Sequence, residues 1–249
     1  MNDEPACSTR AWFKQVRKLT NPQVASWQPR VFFWSNVYMK KERVIDQITY
    51  KQVPSLIAHE LGEGCACFTG RLPYEQMPSD LEKQQLWDLH PKDFPLILIH
   101  GKVVPTPRWQ QSYGADYHFS GQVNKALPVP HLLSPLLEWV QEAVDHRING
   151  VFVNWYEASL GHYIGAHRDS TKFMSEGSPI VMISFGASRT MRMRKWKGTD
   201  RQDVVVSDGT ICILPFETNL AWTHEILRRK SDTGRRVSVT MRAFDHGVL

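Results

Sequence analysis

The C-terminal part of the chain is written in short apolar runs. Runs at 151–155, 180–185, 190–194, 204–206, 210–214 and 237–244 are rich in Val, Ile, Met and Phe and predict β-strands, with Gly and Asp between them as in Ser207-Asp208-Gly209. Short strands at this spacing predict a mainly β fold with flanking helices, built as a jelly roll or barrel. The final run is the most regular. From Arg236 to Arg242 polar and apolar residues alternate strictly, so Arg236, Ser238, Thr240 and Arg242 share one strand face and Val237, Val239 and Met241 the other.

Helix signals come earlier. Ser134 is expected as an N-cap with Pro135 in the first turn, followed by Leu137, Val140 and Val144 on one face and a stop before Asn149-Gly150. Residues 54–89 read as helices and loops, and Ser79 and Glu82 stand at capping-box spacing. No repeat, low-complexity tract or Gly/Ser linker interrupts the chain. The expected organisation is an N-terminal extension at 1–90, packing through aromatics such as Trp12, Trp27, Phe32, Phe33 and Trp34 on a core domain at 91–249.

Composition narrows the classes. At 249 residues, 42% hydrophobic and 22% charged, the chain is an ordinary globular protein rather than a disordered one. No run approaches the roughly 20 apolar residues of a membrane span, so no membrane partner is expected. The acidic opening Met1-Asn2-Asp3-Glu4 lacks the charge and apolar stretch of a signal peptide, which predicts a cytoplasmic location, or a nuclear one in a eukaryote. Cys7, Cys65, Cys67 and Cys212 are too few and scattered for a disulfide framework and are read as reduced structural thiols. The net charge of +5 permits a phosphate-bearing partner without demanding one.

Chemistry enters at His167-Arg168-Asp169. Residues two apart on an extended segment project to the same side, so the imidazole and carboxylate can share one ion. His224 is expected as a third ligand, carried inward on a loop over 215–223. Two imidazoles and a carboxylate on one face of an octahedron leave positions open for further ligands, the arrangement of iron(II) oxygenases. In a chain with ten histidines a His-x-Asp pair is unspecific by itself. The tail adds the missing specificity. Two arginines facing the inside of a filled jelly roll need anionic partners, and the dicarboxylate 2-oxoglutarate suits the planar guanidinium fork. A zinc hydrolase built on the same His and Asp residues would leave Arg236 and Arg242 without a task.

The ordered series Asn154-x-Tyr156, His167-x-Asp169, His224 and Arg236-x-Ser238-x-Thr240-x-Arg242 resembles the AlkB family of Fe(II)/2-oxoglutarate dioxygenases. The likeness extends through Gly101-Lys102, Tyr117-His118-Phe119-Ser120-Gly121, Gly165, Ser178-Pro179-Ile180 and Ser184-Phe185-Gly186, over about 94–244. It implies a double-stranded β-helix, or jelly roll, fronted by helices and a nucleotide-recognition lid. It further implies iron held by His167, Asp169 and His224, and 2-oxoglutarate anchored by Arg236 with Asn154, Tyr156, Ser238 and Arg242 completing its pocket. Tyr117, Phe119 and Ser120 would meet the substrate. The implied activity consumes O2 and 2-oxoglutarate to hydroxylate N-methyl groups of alkylated nucleobases, releasing succinate, CO2 and formaldehyde, by a monomer. A hydroxylase of a small molecule such as a nucleoside or nucleotide is the alternative. Two positions differ from the repair members: Ser170-Thr171-Lys172 follows the His-x-Asp pair without a carboxylate, and His100 precedes Gly101-Lys102.

Overall fold

A strictly alternating strand with both faces buried must sit inside a sheet that is covered on both sides, and that is where the tail lies. In the computed structural model, which describes residues 50, 52–99, 101–119 and 121–245, the tail forms β16 (Arg235–Arg242), buried from Arg236 onward. The expectations on residues 1–49, on His100 and on Ser120 fall outside the described residues.

β16 lies near the middle of an eight-stranded sheet. Its other members are β1 (Ile57–Gly62), β2 (Cys65–Arg71), β5 (Trp109–Tyr113), β8 (Ala126–Leu127), β9 (Gly150–Glu157), β11 (Ile180–Gly186) and β14 (Thr210–Leu214). The order is β1-β2-β14-β11-β16-β9-β5-β8. Neighbours run antiparallel except β5 and β8. A four-stranded sheet faces it, ordered β10-β15-β12-β13, from β10 (Ile164–His167), β12 (Arg189–Lys195), β13 (Arg201–Val206) and β15 (Trp222–Ile226). Met182, Cys212 and Leu214 from the large sheet meet Met191, Met193, Val204, Val206 and Ile226 from the small one in a common core. Burying each large apolar side chain contributes about 1.5–3 kcal/mol, which is what holds the sheets together. This is the expected jelly roll.

The outer face of the large sheet is closed by two helices, α1 (Asp80–Asp88) and α2 (Ser134–Ala143). Trp155, fully buried on β9, donates its indole N–H to Leu86 O at 2.8 Å and so fastens α1. The capping box at α1 forms as its spacing predicts: Ser79 Oγ accepts from Glu82 N at 3.3 Å, and Ser79 N donates to Glu82 Oε2 at 2.7 Å. Two further hairpins, β3 (Leu96–Ile99) with β4 (Lys102–Pro105) and β6 (Tyr117–Phe119) with β7 (Gln122–Asn124), stand apart from both sheets.

The strand expectations are met to within a few residues, and four details are corrected. Residues 57–71, read as helix or loop, are the hairpin β1–β2. Its two-residue turn Glu63-Gly64, with φ 52° and 77°, has the left-handed pair that matches the twist of the strands. The signal was masked because every residue of β2 except Arg71 is buried, which removes the alternation. Helix α2 takes Leu133, not Ser134, as its N-cap and stops at Ala143. Its buried stripe is Leu136, Val140 and Ala143 rather than one through Leu137 and Val144. Lastly, 237–244 is too long for β16, because Phe244 makes only an isolated bridge to Met174.

Candidate active site

The metal constellation depends on one strand pair. β10 and β15 run antiparallel with His167 directly opposite His224, so their side chains leave the sheet on the same side, and the ring centroids lie 4.3 Å apart. His224 is therefore on a strand, not on the loop expected from the sequence. The stretch before it is the short helix α3 (Phe216–Ala221), which runs directly into β15.

Asp169 follows β10 by two residues. One candidate ligand atom from each of His167, Asp169 and His224 lies within 4.8 Å of the others. Asp169 Oδ1 stands 3.4 Å from His167 Nε2 and 3.8 Å from His224 Nε2, while Oδ2 accepts from the Arg242 guanidinium, through Nε at 3.1 Å and also through Nη2. One carboxylate oxygen is thus held by the large sheet and the other faces the imidazoles. Burial alone would raise the Asp169 carboxyl, but Arg242 and the two histidines outweigh it and hold it well below the usual carboxylate range. Burial, with His167 alongside, pushes His224 down to about 3, so it remains the neutral imidazole that a metal requires. His167 Nδ1 lies 2.9 Å from Gly165 O, a contact that fixes the ring with Nε2 turned toward Asp169 and the metal position.

The acceptor for a diacid lies across the cavity. Arg236 is 3% exposed and no carboxylate pairs with it among the described residues. Its Nη2 donates to Ser184 Oγ at 2.9 Å and to Ser238 Oγ at 3.2 Å, and its carbon lies 4.9 Å from the Tyr156 ring centroid. These contacts fix the guanidinium plane, yet Nε and Nη1 are buried with no partner. Unused donors on a buried guanidinium are costly and call for an anionic acceptor such as a carboxylate. Both groups, iron and 2-oxoglutarate, therefore fit the side chains present. The two sheet rows Ser184–Ser238–Asn154 and Gly186–Arg236–Tyr156 are set by register, so β11, β16 and β9 build this wall together.

One cavity of about 520 Å³ joins these features, with His167, Asp169, His224, Asn154, Tyr156, Arg236, Ser238 and Arg242 among its lining. Tyr117 and Phe119 line it as well. Their rings stack at 5.3 Å, and Tyr117 is buried with its hydroxyl accepting from Ser170 N at 3.2 Å. Thr240 also lines the cavity.

Two residues escaped the sequence reading. Arg108, just before β5, lines the cavity and donates from Nε to Asn154 Oδ1 at 2.7 Å. Its signal was the polar set Arg108, Gln110 and Ser112 at every second position, weaker than the tail because Gln111 between them is also polar. Asn219 on α3 clamps the backbone of Asp169, accepting from Asp169 N at 2.8 Å and donating to Asp169 O at 3.0 Å. Nothing local marks an asparagine in a short helix for that task.

A jelly roll whose interior carries a His/Asp/His cluster beside a buried, unsatisfied arginine defines an iron oxygenase that uses a keto-diacid. The chain belongs to the 2OG-Fe(II) oxygenase superfamily, whose family model matches residues 91–242. Within that class it is an AlkB-type dioxygenase using Fe(II), 2-oxoglutarate and O2. It is 29% identical to human "DNA oxidative demethylase ALKBH2" over 199 residues, covering 74% of this chain and 75% of the human protein. The mouse protein of that name is 32% identical over 157 residues, 59% of this chain and 65% of that one. Rat "Alpha-ketoglutarate-dependent dioxygenase alkB homolog 3" is 27% identical over 150 residues, 55% of this chain and 50% of the rat protein. Among solved structures, that of OsALKBH1 superposes with a TM-score of 0.50 at 11% identity, over 75% of this chain and all of that one, a likeness of fold alone.

Proposed function

We propose that this chain oxidatively demethylates alkylated bases in DNA or RNA. The observation that carries the reading is the cavity in which the His167/Asp169/His224 cluster and the unpartnered Nε and Nη1 of Arg236 lie beside an aromatic wall of Tyr117 and Phe119. The similarity to a DNA oxidative demethylase supports it.

His167, Asp169 and His224 would hold the metal, and Arg236 the distal carboxylate of 2-oxoglutarate. Ser184 and Ser238 orient the guanidinium. Arg242 fixes the Asp169 carboxylate so that Oδ1 faces the ion. Asn154 spends its oxygen on Arg108, so its NH2 is the group left to donate to the cosubstrate, with Tyr156 beside it. Bound iron and 2-oxoglutarate supply the oxidation, in which O2 is split between the new succinate carboxylate and a C–H of the substrate, with loss of CO2. The hydroxylated N-methyl group then releases formaldehyde and leaves N–H. Tyr117, Phe119 and Ser120 present the base, the rings offering a stacking surface. The reading takes residues 91–249 as the dioxygenase domain, with 1–90 as an extension whose described part lends it β1, β2 and α1, and a chain that works as a monomer in the cytoplasm or nucleus.

The test is formaldehyde release from N-methylated oligonucleotides with Fe(II), 2-oxoglutarate and O2, run beside the matching free nucleosides and nucleotides. Release from oligonucleotides at a kcat/KM at least tenfold higher is expected. Turnover of the free nucleosides alone would replace this reading with a small-molecule hydroxylase.

A further inference from the structure

Beside the cavity stands an aromatic ring with no part in the chemistry above. Trp196 sits at the turn between β12 and β13 and is 48% exposed. It is held in place all the same. Its backbone N–H donates to Ala221 O at 2.9 Å, and one face of its ring is covered by the Arg168 guanidinium, whose carbon lies 4.3 Å from the centroid. Arg168 is fixed in turn, donating from Nη1 to Leu220 O at 2.8 Å. Ring and guanidinium thus share one anchor, the C-terminal end of α3, the helix whose Asn219 grips Asp169.

Position gives the ring a task. Arg168 comes between the ligands His167 and Asp169 in the chain and lines the cavity, so Trp196 is one arginine side chain away from the metal cluster. A base that enters the cavity stays joined to its neighbours in the strand, and those remain outside, close to the opening. An indole with half its surface in water, ordered before anything binds, offers such a neighbour a stacking surface without a further cost of ordering. The guanidinium behind the ring adds a cation–π attraction that keeps it in position.

The charge around the ring suits a strand as well. Lys195 is paired with Glu63 and Arg194 with Glu225, each at 2.6 Å. Lys197, next to the ring in the chain, is exposed and forms no ion pair among the described residues. Its backbone is left-handed, with φ 56°, where a glycine would be less strained. An uncommitted ammonium beside a stacking ring is the combination that a base on a phosphate backbone meets best.

We infer that Trp196 is a stacking platform for a nucleobase adjacent to the methylated one, so that the site takes a strand rather than a free nucleotide. This rests on the nucleic-acid reading above and adds a subsite to it.

The experiment reads binding by fluorescence anisotropy, with the full chain, Mn(II) and 2-oxoglutarate, on a labelled single-stranded oligonucleotide carrying one 1-methyladenine at its centre. Two further strands replace the nucleotide on one side or the other of the methylated base by an abasic residue. For the parent, one of the abasic strands is expected to bind at least fivefold more weakly than the intact strand. Trp196→Ala should weaken binding of the intact strand by at least fivefold and bring intact and abasic strands within twofold of each other, because the partner of the missing base is already gone. Trp196→Phe, which keeps a ring, should stay within threefold of the parent. If neither abasic strand binds the parent more weakly than the intact one, the inference is overturned whatever the variants do. An abasic loss as large in Trp196→Ala as in the parent would overturn it too, making Trp196 a cover for Arg168 and leaving the demethylase reading in place. If the parent binds no methylated strand at all, the nucleic-acid reading falls and this inference with it.

Discussion

Arg236 shows how a single buried group can state its ligand. Two of its donors are unused and a third is shared between serine hydroxyls, so it is prepared for a carboxylate and for little else. Charge-assisted hydrogen bonds contribute about 1.5–3 kcal/mol. Arg236→Ala is therefore expected to raise the KM for 2-oxoglutarate by about 10- to 150-fold, at about 1.4 kcal/mol per decade, and Arg236→Lys to recover only part of it because a compact ammonium cannot reproduce the spread of donors on a planar guanidinium. Steady-state succinate formation against 2-oxoglutarate concentration checks both; a KM within twofold of the parent in the alanine variant would contradict the assignment.

At the scale of elements, α3 and β15 act as one device. The helix supplies Asn219, which holds the Asp169 backbone at both its N–H and its carbonyl, and the strand supplies His224 opposite His167. Asn219→Ala removes no ligand atom but releases the segment that carries one. Metal affinity, read by Co(II) or Mn(II) titration, is expected to fall about 10-fold or more, the size of effect typical for groups that orient ligands. A variant that melts earlier yet binds metal as tightly as the parent would show Asn219 to be structural only. On the outer face, Trp155→Phe deletes the bond to Leu86 O and leaves that carbonyl without its partner, at a cost of about 1–3 kcal/mol. Urea unfolding should show a lower midpoint with iron affinity unchanged.

The whole molecule divides the site between its two sheets. The metal cluster grows from the small sheet and the diacid anchor from the large one, with Arg242–Asp169 the direct ion pair between them. Ligands that fill the cavity therefore tie the two sheets together and bind the folded state alone. At a hundredfold excess over its Kd such a ligand stabilises by about 2.7 kcal/mol. For a domain of this size that is a rise in Tm of about 5–10 °C. Redox-inert Mn(II) with 2-oxoglutarate should produce it by differential scanning fluorimetry, and His167→Ala should abolish the shift. Equal shifts in parent and variant would place the metal elsewhere.

Periodicity and residue chemistry carry a good deal of this protein. The strict alternation of 236–242, the short runs from 151 onward and the His-x-Asp spacing are local properties of the chain, because strand geometry repeats every two residues wherever the strand is placed. They determined the jelly roll, the polar face of β16 and the ligand residue types. Where local pattern was erased, as in β2, buried but for Arg71, or where a task depends on a residue brought from far along the chain, the sequence was mute. Only the tertiary structure decided that His224 sits opposite His167, that Asn219 grips Asp169, that Arg242 takes one carboxylate oxygen and leaves the other, and that Arg108 enters the cavity beside Asn154. Those are facts of register and of sheet-on-sheet packing, which arise between segments and are written in none of them alone.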